Sequence, residues 1–135
     1  MKASALSFRA AVLFAIAGMG MGIAMAISQD HSVMPAHAHL NLLGWVSLFL
    51  FGIYYRLHPG ADLSRLALVH VGIWCVGTVI LTVAVAAIHL GHTAAEPVAA
   101  IGSLALLADM LLFAVLVFRP TILARPAAVA LTPAE

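Results

Sequence analysis

Four apolar runs, over residues 10–28, 36–55, 66–89 and 98–118, decide what this chain can fold into. Each is long enough to cross a hydrocarbon layer of about 30 Å, which takes about 20 helical residues. Only three short connections, "QDHSVMP", "RLHPGADLSR" and "LGHTAAEP", separate them. In hydrocarbon every backbone N–H and C=O needs a partner within the protein, so a spanning segment is a helix or a barrel strand. The runs are rich in Leu, Val and Ala and lack the alternation of barrel strands, which predicts helices. With 64% hydrophobic and 8% charged residues, the chain has too little polar surface for a water-soluble domain. The fold class is therefore all-α: an integral membrane four-helix bundle in contact with the lipid bilayer. Residues 1–120 read as one four-span domain, and residues 121–135, rich in Ala and Pro, as a loosely ordered cytoplasmic tail.

The basic residues predict orientation. Lys2 and Arg9 precede the first run, Arg56 and Arg65 lie between the second and third, and Arg119 and Arg125 follow the fourth. All six fall on one side, so the positive-inside rule predicts both termini in the cytoplasm of a prokaryotic plasma membrane. A secretory signal is the rival reading of the N-terminal run, which has a basic start and an Ala24-x-Ala26 pair. Its apolar stretch exceeds the usual ~7–15 residues of a signal, which favours a retained helix. Pro35 and Pro97 suit the first turn of the second and fourth helices. Gly18 and Gly22 form a small-residue face whose simplest use is packing within the bundle. The net charge of +1 excludes a nucleic-acid partner, and the single cysteine, Cys75, excludes an internal disulfide or a cysteine-ligated metal site.

Histidine is the residue in excess, with seven copies. His31, His37, His39, His89 and His92 fall at the predicted outer ends of the second and third spans or in the adjoining connections. His58 and His70 fall towards the cytoplasmic side. An outer group of imidazoles without cysteine is the donor set of a metal or a haem iron. His37 and His39 are two apart, so they point about 200° from each other on a regular helix and suit two different neighbours. His89 and His92, three apart, share a face. Asn41 lies one turn below His37, placed to orient its ring. His31 and His58 read as ordinary interfacial residues, and Cys75 as packing. Asp109, the one acid inside a span, is a functional candidate whose partner would be His70, Ser103 or another helix.

The stretch "HAHLNLLGWVSLFLFGIYYRLHP" resembles the tenth helix of the catalytic subunit of haem–copper oxidases, especially the C-type oxidases and nitric oxide reductases. There an H-x-H pair opens the helix, a Gly-aromatic step follows, and F-G-x-x-Y closes it. The next run, "LVHVGIWCVGTVIL", is similar to the eleventh helix, so the chain looks like a small stand-alone version of the subunit's last helices. The resemblance implies that His37 matches the proximal ligand of a high-spin haem and His39 an axial ligand of a low-spin haem. It does not extend to the copper histidines, so oxygen reduction by this chain alone is not expected. The expected cofactor is haem b, held by His37, His39, His89 and His92 with Asn41 in support. Electron transfer with a redox partner protein, or binding of a diatomic gas, would be the function, and a homo-oligomer could supply a missing ligand. Two alternatives stand beside it: a copper or zinc site built from His37, His39 and His89, and an accessory subunit of a respiratory complex.

Overall fold

The computed structural model describes residues 1–118, and all regular structure among them is helical. The expected tail, together with Arg119 and Arg125, lies outside the described residues. Four helices are long and apolar enough to cross a membrane: Ala3–Ser28, Met34–Leu57, Arg65–His89 and Thr93–Phe118. At 1.5 Å per residue, the 26 residues of the first span reach about 39 Å, more than a hydrocarbon core requires.

Helix α1, Ala3–Ser28, begins well before residue 10, where its apolar run starts. The reason is a cap from far along the chain. The Ser4 amide donates to Asp62 Oδ1 at 2.7 Å and the Ser4 hydroxyl to Oδ2 at 2.9 Å. Asp62 thus satisfies the free N–H end of α1 and sets a carboxyl group against the positive end of its dipole. Hydropathy marks where a helix leaves hydrocarbon, not where its hydrogen bonding stops.

The second span is interrupted. Helix α2, Met34–His39, runs into a π-helical stretch, Leu40–Ser47, and then into α3, Leu48–Leu57. Such widenings need side chains to serve carbonyls that the regular ladder no longer uses. Here the Ser47 hydroxyl donates to the Leu42 carbonyl at 2.8 Å, and the Trp74 indole N–H donates to the Leu43 carbonyl at 2.9 Å. Gly44, within the widened stretch, lets the Phe14 side chain of α1 press against the backbone; a β-carbon there would lie 2.6 Å from Phe14 Cγ.

A short helix, α4 (Pro59–Asp62), leads into α5, Arg65–His89. Ser64 caps α5 by accepting the Ala67 amide at 3.1 Å. The far end closes with Gly91 at φ 91°, the Gly91 amide on the Ile88 carbonyl and the His92 amide on the Ala87 carbonyl. That is the left-handed glycine end that satisfies a helix's last carbonyls. A single turn, Thr93–Ala95, then opens α6, Glu96–Phe118, with Pro97 in its first turn as expected.

Helix α1 packs along the second span, α2 also packs against α5, and α6 packs chiefly against α5. The core lies at their junction and includes Leu48, Phe51, Tyr55, Val71, Trp74 and Leu106. The exterior is apolar too: Leu13, Ile16, Leu50, Val76, Val83, Leu104 and Leu111 are all exposed. That inversion of the usual soluble pattern is what a lipid-covered surface requires.

Candidate functional site

Two polar groups of side chains stand out against this apolar frame. The first gathers where α2 begins. His37 is half-buried and turns towards α1, where a β-carbon on Gly22 would lie 3.2 Å from His37 Cε1. Asn41 sits one turn on, and a β-carbon on Gly18 would lie 2.5 Å from Asn41 Oδ1. Gly18 and Gly22, one turn apart on α1, therefore form the trough in which Asn41 and His37 rest. The Gly-x-x-x-Gly face is used within the bundle, as its sequence suggested.

Asn41 does approach His37, but its firm bond is to backbone. The amide nitrogen donates to the His37 carbonyl at 2.9 Å and lies 3.4 Å from each ring nitrogen. His39 is held differently. Its Nδ1–H donates to the Pro35 carbonyl at 2.7 Å. A carbonyl can only accept, so the ring proton is on Nδ1 and the lone pair of Nε2 remains free. His37 thus lies against α1, whereas the ring of His39 bonds to the backbone of its own helix.

His89 is exposed at the end of α5 and repeats the arrangement of His39, its Nδ1–H donating to the Val85 carbonyl at 2.9 Å. His92 is exposed, its backbone fixed by the Gly91 turn. His31 is exposed, and His58 donates from Nδ1 to the Tyr54 carbonyl at 2.7 Å while stacking on the Tyr54 ring. Among the described residues no three His, Cys, Asp or Glu side chains gather in a way that could hold a metal ion. His37, His39 and His89 are therefore not brought together as a three-imidazole site within one chain.

In this region, the fit to a haem differs between the two histidines of the pair. The Cε1 edge of His37 lies against α1 at Gly22. His39 has its ring fixed by a carbonyl and a free Nε2, the usual state of an iron-ligating imidazole. An apolar groove of about 360 Å³ between α5 and the start of α6, lined by Val79, Val83, Ala87 and Val98, lies elsewhere and carries no imidazole.

The second group is buried in the core nearer the other end. His70 is fully buried on α5, with Tyr55 of α3 and Asp109 of α6 on either side. Tyr55 Oη lies 2.9 Å from His70 Nδ1, and Asp109 Oδ2 lies 3.9 Å from His70 Nε2. Phe113 stacks on the imidazole at 5.1 Å between centroids, and Phe51 meets it edge-on at 4.7 Å. The proximity of His70 and Asp109 was anticipated from sequence, but at 3.9 Å they do not make the hydrogen bond expected of them. Ser103 is not the partner: its hydroxyl is exposed and donates to the Ala99 carbonyl at 2.9 Å. Tyr55 is the residue that sequence reasoning missed. Its position two residues from the end of one span, opposite a histidine one turn into the next, is the signal that could have found it.

Compared with known protein families, curated proteins and solved structures, the chain matches none.

Proposed function

We propose that this chain is a haem b-binding membrane protein, related to the catalytic subunit of haem–copper oxidases, that transfers electrons or binds a diatomic gas. The observation that supports this most is the Pro35 carbonyl holding Nδ1–H of His39 and leaving Nε2 as a ligand nitrogen. His39, rather than His37, whose Cε1 edge lies against α1, is the axial ligand in this reading. His89, fixed in the same way at the end of the helix that α2 packs against, is the second axial candidate. It would act within the chain, or from another copy in a homo-oligomer. A bound haem iron would supply electron transfer if both axial positions are filled and gas binding if one stays open.

Lys2, Arg9, Arg56 and Arg65 favour a cytoplasmic location for both termini in a prokaryotic plasma membrane. His39 and His89 then sit near the outer face, where a redox partner would approach. The test compares haem content, as the pyridine haemochrome, of His39→Ala and His37→Ala purified from cells able to supply haem. His39→Ala is expected to lose haem and His37→Ala to retain it. Full retention in His39→Ala overturns the assignment.

A further inference from the structure

Asp109, His70 and Tyr55 come from three different helices and meet in the core. His70 is fully buried and Asp109 is 3% exposed. His70 Nε2 and both Asp109 carboxyl oxygens are buried without a hydrogen-bond partner. At 3.9 Å, Nε2 and Oδ2 are too far apart for a direct hydrogen bond. Native cores leave few buried polar atoms unpaired, and three at one point call for an explanation. An acid within a span is costly unless its charge is neutralised or used. Packing alone does not account for it, since an apolar side chain would fill the same space without the desolvation cost.

We propose that Tyr55, His70 and Asp109 form an intramembrane proton-binding site, in which the His70 ring relays a proton between the Tyr55 side and the Asp109 carboxyl. The ligand is a single exchangeable proton, carried in by water from the Tyr55 end. Tyr55 lies two residues before the end of α3, so this is the side nearer the membrane surface. Without the proton, Tyr55 donates O–H to His70 Nδ1, His70 holds its proton on Nε2, and Asp109 is ionised. Loading places a proton on Nδ1; a rotation of the Asp109 carboxyl closes the 3.9 Å gap to hydrogen-bond distance, and the Nε2 proton passes to Asp109 Oδ2. The ring ends as the other neutral tautomer, with Nδ1–H donating to Tyr55 Oη. The cluster gains one proton and its charge goes from −1 to zero.

The groups facing Asp109 are few. Tyr55 comes from α3, and His70 and Cys75 come from α5. The cations of α1, Lys2 and Arg9, are exposed. Phe51 and Phe113 wall the ring from the neighbouring groove between the second span and α6. The cluster works without haem and without His39.

Infrared spectroscopy of the full chain in lipid nanodiscs tests it, with Asp109→Asn and Tyr55→Phe compared in the same nanodiscs. A carboxylic acid carbonyl band is expected to appear as pH falls and to vanish reversibly as it rises. Asp109→Asn should remove that band. Its shift on transfer to heavy water should slow about tenfold or more in Tyr55→Phe, which keeps the ring but removes the entry hydroxyl. A band that never titrates would mean a permanently neutral structural acid and would overturn the proposal. So would the absence of any Asp109 band at every pH, or an exchange rate indifferent to Tyr55→Phe.

Discussion

Replacing Asp62 by Ala removes the one side chain among the described residues that caps α1, and the cost follows from the two bonds lost. The Ser4 amide, 2.7 Å from Oδ1, becomes an orphan donor at a helix start; losing a cap of this kind costs about 1 kcal/mol, up to about 2. The Ser4 hydroxyl, 2.9 Å from Oδ2, is left buried without a partner, which adds about 1 kcal/mol. Asp62→Ala should therefore destabilise the protein by about 2–3 kcal/mol, measured by unfolding in mixed micelles of increasing SDS fraction. Asp62→Asn is the informative control. Its oxygen can still accept the Ser4 amide, while its amide can donate to the Ser4 hydroxyl, so the loss should stay within about 1 kcal/mol. In a double-mutant cycle, Ser4→Ala with Asp62→Ala should show coupling of about 1 kcal/mol. An Asp62→Ala cost below about 0.5 kcal/mol, with Asn and Ala equivalent, would refute the reasoning that a carboxyl from the loop fixes the start of α1.

Three further outcomes are expected. Gly22→Leu puts a side chain where His37 Cε1 lies 3.2 Å from a β-carbon, and should cost about 1–3 kcal/mol by the same unfolding assay, with Gly20→Leu, where nothing lies within 4 Å, near neutral. Trp74→Phe leaves the Leu43 carbonyl without its 2.9 Å donor and should cost about 1 kcal/mol, with faster amide hydrogen exchange across the π-helical stretch as its signature. The Ser32 hydroxyl and amide hold the Asp30 carboxyl below its ordinary value of 3.8. A lowered carboxyl stabilises its turn above that value and gives this up as pH falls through the lowered one, so the Ser32 amide NMR shift should titrate below pH 3.8.

The four spans were legible because a continuous apolar run of membrane length has few other solutions, and prolines marked the starts of the second and fourth. The start of α1 was not legible: it rests on Asp62, 58 residues away, and no local signal at Ser4 announces that partner. The π-helical stretch was hidden for a similar reason. "LNLLGWVS" reads as ordinary helix, and its widening depends on Trp74 and Ser47 serving freed carbonyls. Spacing alone separated the directions of His37 and His39. Which of them α1 would enclose depended on Gly22 meeting His37, a tertiary fact. The nearness of His70 and Asp109 was readable because each is a rare polar residue within an apolar run, whereas Tyr55 entered only as the last residue of the F-G-x-x-Y ending.

The central claim is met most directly by the optical spectrum of the detergent-purified chain, oxidised and then dithionite-reduced, with and without carbon monoxide. The account predicts sharp reduced haem b bands. A spectrum unmoved by carbon monoxide would assign an electron carrier with two histidine ligands, and a shifted one a gas-binding iron. No haem bands from cells that supply haem would contradict it.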